Sequence, residues 1–127
     1  MSELSELKYT PEHEWIRIDG DVLTIGITAF AAEKLGEVVY VDLPQVGQAV
    51  QRGKVVSEVE STKSVGEVYA PVDGEVVEVN AAVSDNPELI NDSPFDQGWL
   101  FSIRVSSDAL AEASFIDLEA YSAITGA

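Results

Sequence analysis

Lys63 occupies the middle of the stretch Val59-Glu60-Ser61-Thr62-Lys63-Ser64-Val65-Gly66-Glu67, between two short segments that resemble each other. Gly53-Lys54-Val55-Val56-Ser57-Glu58-Val59 is echoed by Gly74-Glu75-Val76-Val77-Glu78-Val79, one residue shorter, and the two glycines lie 21 positions apart. A lysine between two such strands is where a hairpin would present it to solvent. Its amine is a nucleophile toward an activated acyl group, and a rigid tip lets an acylating enzyme reach it. Thr62 and Ser64 are too small to cover it, and Glu60 offers an acidic handle nearby. The chemistry allowed is attachment of a swinging prosthetic group. The plainer alternative is a solvated turn lysine, and spacing alone leaves both open.

The rest of the chain narrows the chemistry by what it lacks. The 127 residues include no cysteine, so there is no disulfide, no thiolate nucleophile and no sulfur ligand for a metal. Any sulfur redox chemistry has to come from an attached group. His13 is the single histidine, which excludes multi-histidine metal sites. With no nucleophile beside it, His13 is expected to pack or to bind backbone, and a hydrolytic enzyme fails for want of a nucleophile–base pair. Asp42, Asp73 and Asp85 are scattered and form no calcium-loop pattern, and Gly26 and Gly36 belong to no phosphate-binding run. The formal net charge of -16 opposes nucleic acid and anionic lipid, both of which are bound mainly through Lys and Arg. A favourable partner carries a basic face, and its association weakens as salt rises.

A hydrophobic fraction of 46% suits one domain with its own core. Short strands are expected at Leu7-Lys8-Tyr9, Trp15-Ile16-Arg17-Ile18 and Val22-Leu23-Thr24-Ile25, with a tight turn at Asp19-Gly20. Thr28 can cap a helix over Ala29 to Leu35 that ends on Gly36. Val38-Val39-Tyr40-Val41 reads as a buried strand stopped at Pro44, and Trp99 to Val105 as a late one. The valine-dense middle, punctuated by Gly47, Gly53, Gly66, Pro71 and Gly74, suggests a small all-β sandwich or barrel. One helical turn is expected at Asn86 to Ile90. Ser114-Phe115-Ile116-Asp117 has a capping-box pattern that predicts a terminal helix from Phe115 to Ile124. Trp15 and Trp99 are expected at the core or its rim.

These blocks, in this order, resemble the glycine cleavage system H-protein family. The attachment region is similar in Glu60-Ser61-Thr62-Lys63 and in Tyr69-Ala70-Pro71-Val72-Asp73-Gly74-Glu75-Val76-Val77-Glu78-Val79-Asn80. The first half is similar in His13-Glu14-Trp15, Gly26-Ile27-Thr28, Leu35-Gly36-Glu37-Val38-Val39-Tyr40-Val41 and Leu43-Pro44. The second half is similar in Pro87-Glu88-Leu89-Ile90-Asn91 and Gly98-Trp99-Leu100. The resemblance implies a mainly β barrel-sandwich hybrid of the lipoyl/biotinyl type. That means two antiparallel sheets with short peripheral helices, in one carrier domain over 1–127 with a terminal helix at about 114–124. It implies lipoic acid in amide linkage on Lys63, with Glu60 and Gly74 recognised by the lipoate-attaching enzyme. It also implies a cleft in which Glu14 and Glu67 face the aminomethyl-bearing arm. Where the family usually has Lys-Ala-Ala-Ser-Asp, this chain has Lys63-Ser64-Val65-Gly66-Glu67, so the acid is one methylene longer and Gly66 loosens that arm of the hairpin.

The implied function is a shuttle, itself no enzyme. It would take an aminomethyl group from glycine at the pyridoxal-phosphate P protein, deliver it to the tetrahydrofolate-dependent aminomethyltransferase (T protein), and be reoxidised by dihydrolipoyl dehydrogenase (L protein). The rival within the family is an H-like protein that relays lipoate to other carriers through the same lysine. A biotin carrier would have methionine on both sides of the lysine, and a 2-oxoacid dehydrogenase lipoyl domain would have Asp before it. Thr62 and Ser64 fit neither. The acidic start Met1-Ser2-Glu3-Leu4-Ser5-Glu6-Leu7 lacks the features of a secretory signal or an Arg-rich transit peptide, and no run approaches the roughly 20 apolar residues of a membrane span. The expected location is cytoplasmic, or the mitochondrial matrix for a processed chain.

Overall fold

The computed structural model describes residues 7–111, 113 and 115–125. The chain begins with β1 (Lys8–Tyr9), β2 (Glu14–Asp19) and β3 (Val22–Ile27), then α1 (Ala29–Leu35) and β4 (Val38–Asp42). It continues through β5 (Ala49–Val50), β6 (Val55–Ser61), β7 (Val65–Tyr69) and β8 (Gly74–Val79). Two short helices, α2 (Ala81–Asp85) and α3 (Glu88–Asp92), lead to β9 (Phe101–Arg104), α4 (Ser107–Ala111) and α5 (Leu118–Thr125). The strands form two antiparallel sheets, one in the order β1-β2-β3-β9-β8-β5 and the other in the order β4-β6-β7. Neither closes into a barrel. Ile16, Leu23, Ile25, Val76, Phe101 and Ile103 from the first sheet share one core with Val38, Val41, Val59 and Val68 from the second. Burying these branched side chains between the faces is the main stabilising term.

Local chemistry accounts for most boundaries. Thr28 caps α1 by accepting the Ala31 N–H at 3.2 Å, and Gly36 ends it at φ +88°. Asn80 caps α2, and its amide donates to the carbonyls of Gln97 and Trp99 at 2.8 and 2.7 Å. That ties the helical excursion to the strand that follows it.

Several expectations change. The partner of β6 across the hairpin is β7; the second copy of the pseudo-repeat is β8, which lies in the other sheet. The pairing of β4 with β6 slips between Val38 and Tyr40, so Val39 and Tyr40 are both exposed and only Val38 and Val41 face inward. The terminal helix starts at Leu118, where Asp117 accepts the Ala120 N–H at 2.9 Å. Ile116 instead bridges Tyr9, and Ser114 lies outside the described residues. The tight turn closes one residue later than expected, with Asp19 paired to Val22. Helices α2 and α4 had no advance signal, being single turns among residues of mixed preference.

A second, smaller core cluster joins Leu7, Tyr9, Trp15 and Tyr121. Trp15 is fully buried, donates its indole N–H to the Pro94 carbonyl at 2.8 Å, and lies across Gly26, its cross-strand partner. A Cβ on Gly26 would stand 2.6 Å from the indole ring. Gly26→Ala is therefore expected to destabilise the protein by about 1–3 kcal/mol through overpacking, read as a lower urea midpoint with an unchanged slope.

Candidate functional site

The turn Thr62-Lys63-Ser64 joins β6 to β7 and is exposed at all three residues. Ser61 holds it from below. Its backbone N–H donates to the Ser64 carbonyl at 2.8 Å, and its hydroxyl oxygen accepts from the backbone of Lys63 and Ser64 at 3.2 and 3.0 Å. The Thr62 N–H donates to the Glu37 carbonyl at 3.1 Å, so the end of α1 is part of the support. Asn91 fixes that support, accepting the Val38 N–H at 2.9 Å and donating to the Gly36 carbonyl at 2.8 Å. The Lys63 side chain passes over Gly36, where a Cβ would stand 3.3 Å from Cε and 3.9 Å from Nζ. Gly36 thus serves twice, as a left-handed helix end and as room for the lysine.

From beside this tip a groove of about 250 Å³ runs between α1 and β7. Phe30, Leu35, Val59 and Val68 give it an apolar lining, and Glu12, His13, Lys34 and Glu67 stand at its polar parts. Leu35 packs on Gly66, where a Cβ would stand 3.2 Å from its Cδ1, so Gly66 marks a close approach between α1 and β7. Glu12 also borders a larger cleft of about 490 Å³, lined further by Thr10, Glu14, Arg52, Tyr69 and Phe115.

Glu14 is the unusual residue of this cleft. Its side chain is 1% exposed although it is acidic. The carboxyl accepts the Tyr69 N–H at 2.5 Å and the Thr10 hydroxyl at 3.1 Å. Burial raises its pKa to about 7, outweighing the two hydrogen bonds that pull it down, with Glu12 adding a smaller upward push. Glu67 is exposed and accepts the Tyr69 hydroxyl at 2.9 Å. Hydrogen bonding to Glu67 is the main reason the Tyr69 phenol is raised.

The structure brings Glu14, Glu67 and Glu12 together around Tyr69 and places Lys63 at the other end of the groove, lining neither cavity. Glu60 is exposed on the outer face of the smaller sheet, in a cross-strand row between Tyr40 and Val65. Gly74 stands apart from the tip, beyond the foot of the hairpin and in the other sheet. A Cβ there would lie 2.6 Å from the Arg104 carbonyl, so glycine is needed for β8 to approach β9. Thr10, Glu12 and Tyr69 were not singled out in the sequence. The spacing of Thr10 to Glu14 and the alternation of Glu67 with Tyr69 were the available signals. His13 packs, as expected, but it bonds a side chain, with Nδ1 2.8 Å from the Tyr121 hydroxyl.

The structure thus presents an exposed, clamped lysine on a hairpin of a two-sheet barrel-sandwich. Comparison with known proteins is specific. The family described as Glycine cleavage H-protein matches residues 7–126. A glycine cleavage system H protein from Clavibacter sepedonicus is 57% identical over 104 residues, covering 82% of this chain and 85% of that one. One from Thermobifida fusca is 50% identical over 125 residues, covering 98% and 97%. The crystal structure of a glycine cleavage system H protein from Mycobacterium marinum superposes with a TM-score of 0.87 at 38% identity, covering 97% of this chain and 98% of that one. The chain belongs to the glycine cleavage H-protein family.

Glu14 makes stability depend on pH. The fold holds the Glu14 proton more tightly than the unfolded chain does. Its contribution is therefore complete below about pH 4.5, declines as pH rises, and is lost above about 7. The size is about 3 kcal/mol over that window. Glu14→Gln keeps an acceptor for the Tyr69 N–H and cannot ionise. Its melting temperature is expected to vary less between pH 4.5 and 7 than that of the parent; equal slopes would place Glu14's ionisation elsewhere.

Proposed function

We propose that Lys63 carries lipoic acid in amide linkage, and that the protein is a shuttle of the glycine cleavage system and no catalyst. The observation that carries this reading is the exposed Lys63 lying over Gly36 beside an apolar groove lined by Leu35 and Glu67, whose Glu12 also borders the neighbouring cleft where Glu14 meets Tyr69. When bound, the lipoyl group would supply a disulfide whose S–S bond opens to take the aminomethyl unit on one sulfur, becoming a dithiol once the carbon passes to tetrahydrofolate with loss of ammonia, and that dithiol would be reoxidised to the disulfide by the flavin enzyme. The partners are the P protein, the T protein, the dihydrolipoyl dehydrogenase L protein and a lipoate-attaching enzyme, in the cytoplasmic compartment.

The chain's own residues fit such a group. The groove's apolar floor suits an aliphatic chain, and the missing side chain at Gly36 leaves the lysine room to pivot. Burial around Glu14 excludes water from a labile S–C–N linkage. A protonated amine at the cleft stabilises the ionised Glu14 and draws its pKa down, so the carboxyl loses its proton as the cation arrives. Glu67 and Glu12 add negative charge at the entrance. Glu60, beside the tip and facing out, is the contact for the attaching enzyme. Gly74 acts at a distance, by letting β8 close on β9 and fixing the frame from which the hairpin stands.

Protein from lipoate-replete cells is expected to show one lipoyl adduct, on Lys63, by intact-mass and peptide mass spectrometry. A bare chain would defeat the carrier reading. Lys63→Arg is expected to abolish glycine decarboxylation in a mixture reconstituted with the P protein while leaving the melt within about 0.5 kcal/mol of the parent, since the side chain is exposed.

A further inference from the structure

His13 has φ +71°, the single positive value at a non-glycine residue among the described residues. A left-handed conformation is uncommon outside glycine, although histidine tolerates it better than most residues, and the contacts around His13 hold it there. The backbone on either side is tied down, with the His13 N–H donating to the Thr10 carbonyl and its carbonyl accepting the Thr28 N–H, both at 3.0 Å. The imidazole is held by the C-terminal helix. The Tyr121 hydroxyl stands 2.8 Å from His13 Nδ1 and 2.6 Å from Thr28 Oγ1. Thr28 already accepts from Ala31. A relay in which Thr28 donates to Tyr121 and Tyr121 donates to His13 Nδ1 therefore gives both hydroxyl protons an acceptor. Burial lowers the His13 pKa, which favours the neutral ring that can accept at Nδ1.

The same segment grips the start of the turn. Tyr121 stacks on Tyr9 at 5.0 Å, Ile116 exchanges backbone hydrogen bonds with Tyr9 at 2.8 and 2.9 Å, and Phe115 lines the Glu14 cleft. Between these two anchors lies one tight turn, and the next residue is Glu14. A change in the His13 backbone would rotate the start of β2, and with it the carboxyl that reaches Tyr69.

We propose that Tyr121 is a positioning residue, holding His13 in its left-handed conformation and thereby aiming the Glu14 carboxyl into the cleft. This rests on the reading of Glu14 as the group that faces the arm's amine. The C-terminal helix is then a clasp on the site, and Tyr121 acts on the arm only through Glu14.

The test compares the parent, Tyr121→Phe, Glu14→Gln and the double variant. Tyr121→Phe keeps the ring stack and removes both hydroxyl contacts, and a melt confirms that it is folded. In the unlipoylated chain, the Glu14 carboxyl titration is followed by carbon-13 NMR. The expected result is a midpoint in Tyr121→Phe clearly below the parent's, toward the ordinary carboxylate range, because a misaimed carboxyl is better solvated. In the lipoylated chain charged with the aminomethyl group, ammonia release is expected to be about five-fold faster in Tyr121→Phe, the size of one ordinary hydrogen bond. The double variant should release no faster than Glu14→Gln alone. An unchanged Glu14 titration, or additive effects in the double variant, would overturn the proposal and leave Tyr121 as packing. If Glu14→Gln releases ammonia at the parent rate, the reading of Glu14 fails, and the titration still decides whether Tyr121 aims it.

Discussion

The Glu14 carboxyl is where the two sheets meet. Glu14 begins β2 in the larger sheet, and the N–H it accepts belongs to Tyr69, the last residue of β7 in the smaller one. Sheets packed face to face by apolar side chains have no directional term to fix their offset. A hydrogen bond from backbone to a buried carboxyl supplies one. Both residues line the larger cleft, so the contact that ties the sheets together also shapes that cleft. Ionising that carboxyl opposes its burial, and the raised pKa is the measure of the conflict.

The tip of the hairpin is built on the opposite plan. Thr62, Lys63 and Ser64 are exposed, and rigidity comes from the groups beneath them. Ser61, itself buried, takes two backbone N–H groups of the turn, and Asn91 pins Gly36 and Val38 from α3. The lysine is thus free at its end and fixed at its root. Asn91 lies in a block that was similar to the family without any evident chemistry in the sequence. Its reason is the two hydrogen bonds to the support of a turn 28 residues earlier in the chain.

Much of this was legible from the residues alone. Alternating valines, the Thr28 cap and Gly36 gave the strands and α1 with nearly correct ends, because local preference and burial agree there. The tip was legible because Lys63 is central to a strand–turn–strand pattern. The strand pairing was not. The pseudo-repeat pointed to β8 as the complement of β6, while chain connectivity favours the hairpin with β7. The C-terminal helix was misplaced because Asp117 is as good a cap as a serine, and pairing with Tyr9 holds Ile116 extended. The burial of Glu14 was hidden because sequence does not reveal that Thr10 and Tyr69 would be there to receive it. Gly74 was read for recognition, and its steric need against Arg104 appears only when β9 is in place.

The two acids nearest Tyr69 divide the electrostatic work by depth. Glu67 accepts the phenol on the surface, where water screens its charge, and Glu14 accepts the amide in the interior. Burial raises the Glu14 pKa from the ordinary carboxylate range toward neutrality, so the cleft without a cation favours the protonated carboxyl more than an exposed glutamate would. A cation entering the cleft favours the ionised form and is stabilised by it, and the displaced proton leaves to solvent. When the cation departs, burial again penalises the charged carboxyl and favours its protonation. A carboxyl of ordinary pKa would remain anionic throughout and bring no such change between the empty and filled cleft. A fully neutral group would give a cation nothing to hold. On the shuttle reading, a carboxyl whose pKa burial has raised is suited both to hold an amine and to release it.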